Sequence, residues 1–313
     1  MSQPLVTIGV GNYNNAKYVL DTLKSIEEQT YDNIELVIID DCSTDESLGM
    51  IREWLKSYNK PFKLIAHEKN MGVCVVCNAI INNANGKYVA FLATDDAMMP
   101  DKISVQVNIL EKAGSDVCAV FSDAYLMKDD GSPMYGWFIQ RYYKGFEDIP
   151  TGNIYEPLLL LHLFMPSPTV LIKMEAYKKV GQFDENLAYE DYDMWLRLAR
   201  EYKFIFSDYV SMRYRVRSSS LSFTMKKWYP SLIKIYAKHI DYGQLVIKRM
   251  EDIARLAYID RDKESLELLT KYKKVSKYIN AVVLLYRLKA PNIIGRNILK
   301  VLQKRFADSQ GKN

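Results

Sequence analysis

An α/β domain built on a largely parallel sheet, followed by an all-helical region, is the fold class the sequence predicts. Three observations carry it. Apolar runs of strand length alternate with segments of helical period through the first third of the chain. Polar and acidic residues follow directly on those runs, at the strand ends where sheets of this kind bind ligands. Beyond Trp228 no strand-like run remains and the charge reverses: Lys226 to Asn313 holds 20 Lys and Arg against 8 Asp and Glu, whereas the preceding chain holds 22 against 30.

Strands are expected at Leu5–Val10, Ile34–Asp40, Phe62–Ala66, Tyr88–Ala93 and Val117–Ser122. Helices are expected at Ala16–Gln29, with Tyr18, Thr22, Leu23 and Ile26 on one face, at Asp45–Ser57 with Ser43 or Thr44 as N-cap, at Val73–Asn83, and at Asp101–Ala113 after Pro100. Lys128–Thr151 shows no sustained period and reads as an irregular excursion. Regular structure returns as a helix near Ile154–Leu163, a strand at Thr169–Lys173, a short helix ending at Gly181, a helix at Glu190–Glu201, and strands at Lys203–Ser207 and Tyr209–Val216. The boundary is placed between a domain of residues 1–222 and a basic helical region of residues 223–313.

The chain has 313 residues, 49% of them hydrophobic and 26% charged, with a net charge of +4, as expected of a soluble globular protein. Leu158–Met165, its longest nearly unbroken apolar stretch, is far short of the ~20 residues that cross a bilayer. No basic-then-apolar leader is evident, and four cysteines do not make a disulfide framework in a chain this long. A cytoplasmic setting is expected, at most at the cytoplasmic face of the membrane. No nucleic-acid partner is expected.

Three acidic signals carry the chemistry. Leu92-Ala93-Thr94-Asp95-Asp96 places two adjacent carboxylates just past a buried strand, where a divalent cation bridging to phosphates would balance them; capping of the next helix is the competing reading. Ile38-Ile39-Asp40-Asp41 also ends a strand, and its carboxylates suit a base or ribose. Capping accounts for Ser43, Thr44 and Asp45 better than for Asp40 and Asp41. Glu190 and Asp191 open an amphipathic helix, where a fixed ionised carboxylate can take a proton from a hydroxyl; plain charge balance at a helix N-terminus is the alternative. Arg213, Arg215 and Arg217 alternate, so that in a strand they would share one face and suit a phosphate-bearing ligand, or form a solvated face.

These signals, with Val6-Thr7-Ile8, Asn12-Tyr13-Asn14, Asn70-Met71-Gly72, Asn78, Gly86-Lys87-Tyr88, Val180-Gly181-Gln182-Phe183-Asp184-Glu185 and Tyr214-Arg215, resemble in order and spacing the family 2 glycosyltransferases of the GT-A fold over residues 4–222. The resemblance implies an inverting enzyme that moves a sugar from a nucleotide diphosphate, UDP above all, to an acceptor hydroxyl of a glycan or lipid-linked acceptor in cell-surface polysaccharide or glycolipid synthesis. It implies Mn²⁺ or Mg²⁺ held at Asp96, a nucleotide site of Gly11, Tyr13, Asp41, Asn78 and Asp95, and Asp191 as catalytic base. Glu190, Arg215 and Arg217 are assigned to the substrate.

The sequence departs from the family pattern at Gly11-Asn12, where Pro-Thr is usual, at Cys77, where a basic residue is usual, and at Val216-Arg217-Ser218, where a histidine often follows the Tyr-Arg pair. Arg217 cannot ligate a cation; either the metal has fewer protein ligands or Arg217 meets the diphosphate. A nucleotide-sugar-binding protein without catalysis and an NAD-dependent oxidoreductase are the rival classes. Gly9-x-Gly11 lacks the third glycine of a dinucleotide fingerprint, and Cys74-x-x-Cys77 has no second pair to complete a zinc site. In the tail, Val275, Tyr278, Ile279, Val282 and Leu285, then Ile294, Ile298, Val301 and Leu302, recur at helical spacing among basic residues. Such helices can lie on an anionic bilayer, or pack on the protein or a second subunit.

Overall fold

The computed structural model describes residues 3–143, 148–161, 164–188, 190–217 and 228–310, with side chains as far as residue 303. The described residues through Glu185, with those from Glu190 to Arg217, form one compact unit; Asn186–Ala188 and the chain from Trp228 onward form another. The expected boundary between residues 222 and 223 lies outside the described residues.

In the first unit, parallel strands β1 (Val6–Asn12), β2 (Ile34–Asp40), β3 (Phe62–Ala66) and β4 (Tyr88–Ala93) alternate with helices α1 (Val19–Glu27), α2 (Ser47–Leu55) and α3 (Val73–Asn83). There follow β5 (Ala97–Met98), α4 (Lys102–Lys112), β6 (Val117–Met127), β7 (Pro133–Trp137), α5 (Phe138–Tyr142), α6 (Tyr155–Leu161), β8 (Leu171–Lys173), α7 (Met174–Val180), α8 (Glu190–Glu201) and β9 (Lys203–Arg215). The sheet runs β3-β2-β1-β4-β8-β6-β9-β5, with β7 paired to β6, and its antiparallel pairs all involve β5, β7 or β8.

Burial explains the central strands. Every residue of β2 is buried, as are Val6, Ile8 and Val10 of β1, and α1 covers them with Val19, Leu23 and Ile26. A Cβ on Gly9 would lie 2.2 Å from Ile80 Cγ2, and one on Gly11 3.1 Å from Val76 Cγ1. The two glycines let α3 press onto β1; they serve helix–strand packing.

The amino-terminal rim is fastened by a buried carboxylate. Glu35 Oε1 accepts from Thr7 Oγ1 at 2.5 Å and from Gly86 N at 3.1 Å, and Oε2 accepts from Asn85 Nδ2 at 2.9 Å. Burial alone would raise its pKa, but these hydrogen bonds outweigh it and hold the group below its ordinary value.

Five elements differ from expectation. The stretch read as irregular contains β7 and α5, because Pro133, Gly131 and Gly136 disguise a hairpin strand. Lys203–Arg215 is one strand rather than two; its register against β6 shifts where Ser122 faces Ser207 and Ala124 faces Met212, so the residues around Asp208 bulge out. β5 is two residues long and has no signature of its own. The second helix starts at Ser47 and is not capped by Ser43 or Thr44.

The second unit is helical: α9 (Trp228–Lys238), α10 (Gln244–Ile259), α11 (Lys263–Leu269), α12 (Lys277–Arg287) and α13 (Asn292–Gln310). Asp262 caps α11 and Ser276 caps α12. Tyr278, Ile279, Val282 and Leu285 of the first apolar stripe are buried, so that stripe packs; Ile294, Ile298 and Val301 of the second are exposed. Among the described residues no helix is long and apolar enough to cross a membrane.

Replacing Glu35 by Ala leaves buried donors on Thr7, Asn85 and Gly86 without an acceptor and should cost about 2–3 kcal/mol in urea unfolding at pH 7. Because the folded pKa lies below the unfolded one, the stabilisation is present above the unfolded value and fades as pH falls through the folded one. The difference between wild type and Glu35→Gln should therefore shrink in acid; an unchanged difference at pH 3 would refute the role.

Candidate active site

One side chain ties together the carboxyl ends of β1, β2 and β4. Asn12 Nδ2 lies 2.6 Å from Asp40 Oδ1 and 2.9 Å from Ser47 Oγ, and Asn12 Oδ1 accepts from Thr94 Oγ1 at 2.7 Å. Asp40 also accepts from the backbone and hydroxyl of Ser43, at 3.0 and 2.6 Å. Asn14, in the left-handed region at φ 52°, accepts from Thr44 N at 2.8 Å. Tyr13 projects between these anchors and is 48% exposed.

Asp41 grips the loop that leads into α3. Its Oδ1 lies 2.7 Å from His67 Nδ1 and accepts from Met71 N at 2.9 Å; its Oδ2 accepts from Gly72 N at 2.8 Å. Gly72 sits at φ 87°, so the turn requires a glycine.

The acidic pair after β4 meets the arginines after β9. Arg217 Nη2 lies 2.5 Å from Asp95 Oδ2, and its Nη1 donates to Asn15 Oδ1 at 3.0 Å. The buried Nε–H of Arg217 has no partner among the described residues. Arg215, itself 3% exposed, donates from its backbone N to Asp96 Oδ1 at 2.8 Å and from Nε to Asp95 O at 2.8 Å. Its other nitrogens reach Asp129 O at 3.1 Å and Asp21 Oδ2 at 3.2 Å, and its guanidinium lies 4.7 Å from the centre of the Tyr18 ring. Tyr18 and Lys17 both bind Asp129. Burial raises the pKa of Asp95 against the opposing pull of Arg217; burial, then the charge of Asp95, raises Asp96 well above the carboxylate range.

Two desolvated carboxylates under mutual repulsion suit a hard divalent cation, which relieves both penalties at once. Among the described residues no group of three or more His, Cys, Asp or Glu is gathered for a metal. If a cation binds here, the Asp95–Asp96 pair is the protein group that would hold it.

Glu190 and Asp191 open α8 against α3. Asn78 of α3 donates to Phe183 O and Glu185 Oε1, both at 3.0 Å, and accepts from Phe183 N at 2.9 Å, so it clasps the segment that leads to the acidic pair. Burial, followed by the charge of Glu190, pushes the Cys77 thiol up, with a smaller contribution from Asp191; the pair thus faces α3. Burial raises Asp191 to about 6; burial and the Asp191 charge raise Glu190 to about 8. The sequence reading missed Asn12 and Thr94 as the residues that lock the rim, since only long-range partners reveal them.

Each expected site residue also has partners within the protein. Arg215 clamps Asp95, Asp129 and Asp21. Asn78 binds Phe183 and Glu185. Both Asp41 oxygens hold the loop before α3, and Gly11 lies against Val76. The three arginines do not form one phosphate-binding face: Arg213 is exposed, Arg215 buried and Arg217 paired to Asp95. Asp95 and Asp96 do not cap α4, since the cap position is Asp101.

A model described as Glycosyl transferase family 2 matches residues 7–181. An uncharacterized glycosyltransferase of Rickettsia prowazekii is 32% identical over 71% of this chain and 67% of its own length. A Bacillus subtilis glycosyltransferase provisionally named for teichuronic acid biosynthesis is 33% identical over 42% of this chain and 51% of its own. Residues 1–349 of Staphylococcus aureus TarS, solved in complex with UDP-GlcNAc, superpose with a TM-score of 0.66 over 96% of this chain and 92% of that one. At 17% identity the last likeness concerns the fold.

Replacing Arg215 by Lys keeps the charge but loses the fork that spans Asp95 O, Asp129 O and Asp21. A loss of about 2–4 kcal/mol in stability is expected, read by urea unfolding. A variant as stable as wild type would refute the clamp.

Proposed function

The chain belongs to glycosyl transferase family 2 and has the GT-A fold, and we propose that it transfers a sugar from a UDP-sugar to an acceptor hydroxyl with inversion, in the synthesis of a cell-surface polysaccharide. The observation that carries this reading is the Asp95–Asp96 pair after β4 set against Arg217, together with a second, desolvated acidic pair, Glu190 and Asp191, at the start of α8. The relative named for teichuronic acid synthesis and the TarS complex with UDP-GlcNAc support the substrate classes.

Tyr13, exposed beyond the Asn12 anchor, offers its ring to the nucleotide base. Asp95 and Asp96 hold the diphosphate end through Mn²⁺ or Mg²⁺. That cation, when bound, supplies charge stabilisation for the leaving diphosphate. Arg217 carries an unspent donor and pairs with the Asp95 carboxylate; it turns from Asp95 to the phosphates when the donor arrives. Asp191, raised toward neutrality, takes the proton of the acceptor hydroxyl as its oxygen attacks the anomeric carbon. Glu190 keeps its proton at neutral pH and donates a hydrogen bond to the incoming sugar.

The basic tail supports a place at a membrane. Leu288 (68% exposed), Ile293 (76%) and Ile294 (53%) lie open among Arg287, Lys289 and Arg296, a mixture of apolar and basic side chains that fits an anionic lipid surface.

Asp191→Asn should lower transfer by about 10²–10⁴-fold while UDP affinity holds. In wild type, transfer should rise with pH through about 6 as Asp191 loses its proton, and this acidic limb should vanish in the variant. Full activity in Asp191→Asn would remove the base. Asp96→Asn should abolish the Mn²⁺ dependence of UDP binding. For the tail, the full chain should sediment with phosphatidylglycerol vesicles at low salt, and less at high salt. Serine at both Ile293 and Ile294 should abolish this. Sedimentation unaffected by these changes, or self-association through the same face, would set the membrane aside.

A further inference from the structure

The hairpin of β6 and β7 displays aromatic rings that the chemistry above does not use. Tyr125 of β6 stands opposite Trp137 of β7, their rings 6.4 Å apart and edge to face. They are 42% and 46% exposed, and Tyr135 is 95% exposed. Between the pairs Tyr125–Trp137 and Met127–Pro133 the register shifts, and Gly136 within that bulge has φ 88°. A bulge re-aims side chains, and here it turns a tyrosine fully outward. The turn beside it is polar, with Lys128, Asp129, Asp130 and Ser132.

The hairpin is held firmly. Asp123 Oδ1 accepts from Ile139 N at 2.9 Å, fixing the start of α5. Phe138 packs its ring 5.0 Å from Tyr214, next to Arg215, and 6.5 Å from Tyr143. Burial, with the charge of Asp191, pushes Tyr143 up to about 12, so this aromatic strip ends beside the acidic pair.

We propose that Tyr125, Tyr135 and Trp137 form a platform for the carbohydrate chain of the acceptor, stacking on the apolar faces of its sugar rings. Pyranose rings present C–H faces to aromatic π-clouds and hydroxyl edges to polar groups, which is the composition this hairpin offers. Exposed rings in a rigid frame lose little freedom on binding. The platform rests on the reading that the acceptor is a glycan, and it extends that reading to how the glycan is held.

The probe is a panel of hexose, N-acetylhexosamine and uronic acid tetrasaccharides, titrated into the full chain with the Trp137 indole N–H resonance assigned by Trp137→Phe. At least one should shift that resonance. Trp137→Ala should weaken its binding about tenfold or more, Trp137→Phe should restore most of it, and melting temperature and UDP affinity should stay unchanged. No shift with any probe, or full affinity in Trp137→Ala, overturns the platform. Self-association lost in Trp137→Ala gives the face to a second copy and overturns it too. Failure to bind UDP in wild type strikes the transferase reading alone, because the tetrasaccharide titration contains no donor.

Discussion

Two adjacent aspartates on a desolvated rim repel each other, and the first unit is arranged around that constraint. Arg215 meets it from within: its backbone serves Asp96, while its guanidinium binds the carbonyl of Asp95, the β6–β7 turn at Asp129, and Asp21. A buried guanidinium with directed partners fixes four segments at once, which a lysine ammonium cannot do. The neighbouring Arg217 is held more loosely, with a donor unspent. Two residues apart, one arginine is thus fully engaged in the frame and the other keeps a donor unspent.

The central parallel strands were legible because they are buried on both faces and read as largely apolar runs, as in Ile34–Asp40. β7 was not, because bulges and turns share glycine and proline, and Gly136 speaks for either. Asp208 looked like a break between strands because a bulged residue escapes the alternation on either side of it. The acidic clusters could be found by their position after strands. Their roles could not be sorted, because Asp41 and Asp95 carry the same group, and only their partners separate a loop anchor from an exchangeable ion pair. Asn78 illustrates the limit: its partner Phe183 lies 105 residues away, and no local pattern announces a clasp.

The Glu190–Asp191 pair gains its properties from neighbours rather than from its own residue types. Burial penalises both charges, and ionised Asp191 makes Glu190 harder to ionise. Neutral thiols at Cys74 and Cys77 leave that repulsion uncompensated, where an arginine or lysine would quench it. The departure from the family pattern at Cys77 therefore has an electrostatic consequence: no cation at that position of α3 counters the upward shift of Glu190 and Asp191.

Glu35 and its partners fasten the sheet at the edge opposite to the acidic clusters. Part of the folding free energy is in this way drawn from the strand ends remote from the acidic clusters. Substitutions in loops that avoid the buried anchors at the acidic end leave that fastening intact, which gives such a scaffold room to diverge there.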